Sequence, residues 1–287
     1  MSNILSMGKI IGFIVLALFV FSCGKGIAPD ETYLSKRIMV FGVGIYATES
    51  VADDKIIRAA NVMAQYLDSD ENGTVDDAKV LSKLIENKAC ILITPNEDSP
   101  VFPANIPCKY YQDLYETEIK VNGSSVSEGF DATLEEVLHL ISHHGYAYAY
   151  PEIFGMVSYG ENSGSAMTNA MDTARGGFTN SIPDSYPSGA WYTYTDESCN
   201  YVCQASEYFY WALTTKLGLQ EYSGRADEFA EEWRVTSSSD FASTDTEMNA
   251  ILSKSGAYSG LSYDIPDASP DTSYTPTNFT VEAVGRP

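Results

Sequence analysis

Basic residues are scarce in this chain: 17 Lys and Arg stand against 39 Asp and Glu, a formal net charge of −22. Nucleic acid and anionic lipid headgroups need concentrated Lys and Arg, so the composition argues against both as partners. Histidine is scarcer still, at three. There is no internal repeat, no phosphate loop and no nucleophilic Ser-His arrangement. An apolar run long enough to span a bilayer is missing as well, because the candidate Ile10 to Phe21 is too short. Such acidity suits divalent cations, or simply solubility.

That short apolar run follows Lys9 and ends at a small residue and a cysteine, which reads as an export signal over residues 1–22. Val20-Phe21-Ser22-Cys23 resembles the lipobox of bacterial lipoproteins. The resemblance implies cleavage before Cys23, acylation of its thiol and a membrane contact through an N-terminal lipid anchor. Gly24 in place of Asp then points to the outer membrane of the cell envelope. Residues 23–35 are polar and contain Gly and Pro, as a tether would.

Four cysteines remain after Cys23, an even number that suggests two disulfides in an exported protein. Pairing sequence neighbours gives Cys90 with Cys108 and Cys199 with Cys203, the second needing an irregular turn. The body, residues 36–265, is long enough for a sizeable core and reads as one domain or a tightly joined pair. Its expected fold class is α+β, mostly helical with a small sheet. The strands are Arg37 to Tyr46, Ala89 to Thr94 and Trp191 to Thr195, rich in β-branched and aromatic residues. Apolar stripes predict helices over Asp53–Leu67, Asp76–Asn87, Ala132–His144, Ser165–Ala174, Tyr201–Leu217, Ala226–Val235 and Thr244–Lys254. Tyr110 to Ile119 is helical or extended, and residues 266–287, rich in Pro, Ser, Thr and Asp, are expected to be irregular.

Residues 68–79 resemble the calcium loop of EF-hands. Asp68, Asp70, Asn72 and Asp76 stand at positions one, three, five and nine, Gly73 at six, and Thr74 at seven offers its carbonyl. The departure is Lys79 at position twelve, where Asp77 is the nearest substitute. Calcium is the cofactor this resemblance implies.

All three histidines lie in Glu135-Glu136-Val137-Leu138-His139-Leu140-Ile141-Ser142-His143-His144. At about 100° per residue, Glu135, Glu136, His139 and His143 fall within roughly a 100° arc, opposite Leu134, Val137, Leu138 and Ile141. Asp131 or Thr133 is available as N-cap and Gly145 as a C-terminal stop. Donors one turn apart converge on one point, as a zinc ion needs. Either His139 and His143 form the ligand pair, or Glu135 and His139 do. In the second case, Glu135-Glu136-Val137-Leu138-His139 resembles the His-Glu-x-x-His helix of zincin metallopeptidases, with glutamate at the first ligand position.

Glu207 is the lone charge in the apolar run Ala205 to Leu213 and must find a cation or protonate. Its cation is a metal held by the first helix, or Arg175 or Arg225 in a plain ion pair. A glutamate on a later helix completing the site is also what gluzincin-type zincins show. The resemblance implies zinc bound by Glu135, His139 and Glu207, with His143 as the alternative ligand. It makes Glu136 the base and a tyrosine such as Tyr194 the oxyanion donor, acting on a peptide or protein substrate. The other function class is a non-catalytic calcium-binding surface lipoprotein that binds a protein or glycan.

Overall fold

The computed structural model describes residues 30–97, 103–270 and 273–285. The leader and Cys23 therefore lie outside the described residues. The chain is α+β and mostly helical, with one mixed five-stranded sheet.

The apolar stretch expected as a single strand folds into a hairpin of β1 (Leu34–Val40) and β2 (Val43–Thr48). Val40 pairs with Val43, so Phe41 and Gly42 form a two-residue turn with φ of +48° and +93°. Two positive φ values in succession give the turn whose twist matches that of antiparallel strands. Phe41 is not a residue that advertises such a turn, and the break is therefore hidden in the sequence.

The helix α1 (Asp53–Leu67) and the strand β3 (Ala89–Thr94) span the expected residues. The short helix α2 (Ala78–Glu86) lies between them, and β4 (Tyr110–Tyr115) is extended. β2, β3 and β4 run parallel, whereas β5 (Glu282–Ala283) joins β1 antiparallel, giving the order β4-β3-β2-β1-β5. Trp191 to Thr195, expected as a sheet strand, makes only a bridge between Tyr192 and Trp233. The helix α3 (Thr133–Ile141) packs with α1 on the sheet, burying Ile38, Ile45, Ile91, Ile93, Leu134, Val137, Leu138 and Ile141. On the other sheet face, Leu34, Cys90 and Leu92 form a smaller core with Ile106 and Cys108.

α3 does not stop at Gly145. It continues through a π-helical turn, Ser142–Tyr146, and the short α4 (Ala147–Ala149) and α5 (Pro151–Phe154). A Cβ on Gly145 would lie 2.8 Å from Val80, so this glycine serves close packing against α2. The expected caps also differ: the N-cap is Ala132, and Asp131 accepts from the Thr133 and Lys120 amides. α6 (Ala166–Arg175) and α7 (Tyr201–Lys216) follow. The helix expected over residues 226–235 shrinks to α8 (Arg225–Glu228). α9 (Ser238–Thr244) and α10 (Thr246–Leu252) meet at Asp245, which caps α10.

Both expected disulfides are present, Cys90–Cys108 and Cys199–Cys203. The second straddles the N-cap Asn200 of α7, with Cys199 before the helix and Cys203 in its first turn. Among the described residues, no helix is long and apolar enough to cross a membrane.

Candidate metal centre

Three buried contacts bring the helix α3 to its place. Tyr66 on α1 donates to the Leu134 carbonyl at 2.9 Å, Arg58 pairs with Asp131 just before the helix, and the apolar face meets the sheet. The opposite face then meets α7. His139, 7 % exposed, stands between two carboxylates: its Nδ1 is 3.4 Å from Glu136 Oε2 and its Nε2 is 3.4 Å from Glu207 Oε2. Glu135, Glu136 and His139 each place a donor atom within 4.8 Å of the others. The structure thus brings together Glu135, Glu136, His139 and Glu207.

The two sides of the imidazole differ. Glu136 Oε2 also accepts from Gln112 Nε2 on β4 at 2.6 Å. Nε2 of His139 is buried and has no hydrogen-bond partner. A tetrahedral ion with ligands at about 2.0–2.1 Å sets neighbouring donors roughly 3.3 Å apart, close to the 3.4 Å between Nε2 and Glu207 Oε2. The donor set fits zinc.

The same carboxylates set the charge of the buried imidazole. Burial resists charging His139, yet Glu207 and Glu136 outweigh it and hold its pKa well above the histidine range. Burial, and then the Glu207 charge, push the Glu135 carboxyl well above the usual carboxylate range. Neither arginine neutralises Glu207: Arg175 pairs with Asp172 at 2.8 Å, and Arg225 with Glu228 at 2.9 Å. The ion pair formed by Glu207 is with His139.

His143 sits one turn beyond, stacked on His144 at 4.4 Å, which in turn stacks on Tyr110 at 4.6 Å. Burial and the His139 charge lower the pKa of His143, and burial and His143 push His144 down to about 4. The π turn sets His143 among these rings, apart from the close Glu135–Glu136–His139 group. Tyr194 is half-buried. Its hydroxyl pKa is raised by burial and then by Glu207, and Glu135 adds to the rise.

Two neighbours were not foreseen. Gln112 lies in a stretch whose conformation the sequence left open. Glu232, raised by burial and then by Glu207, arrives through the Tyr192–Trp233 bridge and the Thr193 N–H to Glu232 O bond of 2.7 Å. A two-residue periodicity in Tyr110 and Gln112 was the available signal for the first. Nothing local signals the second.

In the loop before α2, carboxylate oxygens of Asp68, Asp70 and Asp76 lie within 4.8 Å of one another. Asp68 accepts from the Asn72 and Gly73 amides, and the Thr74 amide donates to Asn72 Oδ1. Asp77 is turned away from this group. Its Oδ1 caps α2 through the Lys79 and Val80 amides, and its Oδ2 accepts from Tyr150 Oη and the Asp264 amide. A cavity of about 250 Å³ beside the loop is lined by Asp70, Asp76, Asp264 and Asp267. A further cavity, about 350 Å³, lies beside Arg58 and Asn122, away from the histidine group.

No family model, curated protein or solved structure matches the chain. The site is therefore read from its own geometry.

Proposed function

We propose that this is an exported, lipid-anchored, zinc-dependent hydrolase of peptide bonds, stabilised by calcium. The observation that carries the reading is the buried Nε2 of His139, which makes no hydrogen bond and faces Glu207 Oε2 at 3.4 Å. Carboxylates gathered around a buried imidazole need a cation among them, a proton or a metal ion. His139, Glu207 and Glu135 would hold the ion, and the Asp68–Asp76 loop would hold calcium.

Zinc in such a site supplies an acidified water and polarises a carbonyl oxygen. The protein's own part is to orient and to donate. Tyr194 keeps its proton because its pKa is raised, so its hydroxyl is a donor for an oxyanion forming beside Glu207 and Glu135. The carboxylates of Glu135 and Glu207 make the site strongly negative, which favours capture of a divalent cation. The zincin resemblance of the α3 motif supports peptide as the substrate class, and residues 20–23 support the lipid anchor.

A second reading has its own support. Tyr111, Tyr148 and Tyr159 are 41 %, 47 % and 88 % exposed, and exposed aromatic rings suit a glycan or protein partner. On that reading the chain is a non-catalytic, calcium-binding surface lipoprotein. Elemental analysis of protein purified without added metal separates the two. About one zinc per chain, lost in His139→Ala, upholds the hydrolase reading; calcium with no transition metal upholds the binding module.

A further inference from the structure

We infer that Glu136 is a positioning residue, which Gln112 holds against Nδ1 of His139 so that Nε2 is presented to the metal. The inference rests on the metal reading of the site and deepens it. A histidine ligand binds through a bare nitrogen, and the hydrogen bond at its other nitrogen decides which one is bare. Here each nitrogen has a carboxylate oxygen at 3.4 Å, and the one beside Nδ1 is fixed from behind. Nδ1 has Glu136 Oε2 at 3.4 Å, and that same oxygen is fixed by the Gln112 amide at 2.6 Å. Nε2 has no hydrogen-bond partner and faces Glu207. When a metal takes Nε2, the proton that stays on the ring is therefore the one on Nδ1, shared toward Glu136.

The anchor of this chain is structural. Gln112 sits on β4, whose full register with β3 runs from Ala89↔Tyr110 to Thr94↔Tyr115. Tyr110, two residues earlier, stacks on His144, so the strand grips the α3 segment at two places on one strand face. Glu136 is thus oriented by the sheet edge rather than left free to follow a substrate water. Its position in the motif is the one from which a zincin base acts. Its contacts in this chain are those of the carboxylate behind a metal-bound histidine.

The test compares wild type with Glu136→Ala, Glu136→Gln and Gln112→Ala. Zinc affinity is read by chelator competition, and the His139 tautomer by 15N NMR of histidine-labelled protein. A positioning carboxylate predicts that Glu136→Ala weakens zinc by about 10–100-fold. Glu136→Gln should stay within a few-fold, because the amide oxygen still accepts from Nδ1–H. Gln112→Ala should show a smaller loss. Wild-type His139 should carry a slowly exchanging Nδ1 proton that Glu136→Ala loses. Zinc bound equally well by Glu136→Ala, or metal found on Nδ1, overturns the inference. A wild type that takes up no zinc defeats the metal reading alone. In that case the Nδ1 proton still decides: its persistence in Glu136→Ala removes Glu136 from the orienting role, and its loss upholds it.

Discussion

Arg58 and Asp131 meet with both side chains buried, at 4 % and 0 % exposure, Nε to Oδ2 2.9 Å. The pair joins α1 to the entry of the α3 helix, and Asp131 Oδ1 also receives the Lys120 and Thr133 amides. Removing one partner of a buried pair strands the other charge. Arg58→Met should therefore lower the unfolding free energy in urea by about 3–5 kcal/mol. Adding Asp131→Asn, which leaves an acceptor for the two amides, should return more than half of that loss. A double variant as unstable as the single would show that the pair's charges are not what Arg58→Met disturbs.

The loop and its neighbour separate cation binding from capping. If calcium binds Asp68, Asp70 and Asp76, millimolar calcium should raise the melting temperature by linkage to the folded state. Asp70→Ala should lose that response. Asp77→Ala should instead cost about 1 kcal/mol or more through the lost cap of α2, with the calcium shift kept. A wild-type melting curve unmoved by calcium would reduce the loop to a turn.

Ligand assignment is decided by residue-specific loss of zinc. Glu207→Ala and Glu135→Gln should each weaken zinc binding by at least 10-fold, a loss of about 1.4 kcal/mol. His143→Ala should leave it within a few-fold, because His143 stacks away on His144. If His143→Ala abolishes binding while Glu135→Gln retains it, the pair is His139 and His143 and the zincin-like register is refuted.

Asp245 provides the pH dependence. It is 1 % exposed and receives Trp191 Nε1, Tyr208 Oη and the Met248 amide. Burial nevertheless raises its pKa above the usual aspartate value. A raised folded-state pKa means stability that is present below the unfolded value of about 3.9 and lost as pH climbs through the folded value. Asp245→Asn, which keeps one acceptor oxygen and never ionises, should thus gain on wild type as pH rises from 4 to 7 in thermal melts. Asp245→Ala should fall below wild type at each pH, since it strands the Tyr208 hydroxyl and the Trp191 N–H. A constant gap between Asp245→Asn and wild type across that range would contradict the raised pKa.

What could be read in advance follows the range of the interactions involved. α1 and β3 were legible because each carries an uninterrupted local pattern. Convergence of Glu135 and His139 was legible from helical pitch, and the short-range disulfides from simple adjacency. The hairpin at Phe41–Gly42 was hidden because an apolar run continues through the turn. The Gly145 stop misled because glycine can answer a packing need, here Val80, as well as a conformational one. Asp77, plausible as a cation ligand by spacing, is claimed by Tyr150 and Asp264, both distant in sequence. Glu232 enters the site through tertiary approach, for which one sequence holds no marker.

The pairing of β5 with β1 has a topological consequence. Lys36 lies opposite Ala283, and the Val284 amide donates to Ser35 O at 2.7 Å. The folded body is in effect a ring whose two ends abut at one sheet edge. A short linker across that edge, with new ends opened in the exposed turn at Gly160–Ser163, would make a circularly permuted chain that keeps every strand neighbour. In that permuted order α7 would precede α3, so the later helix of the candidate metal centre would be made first.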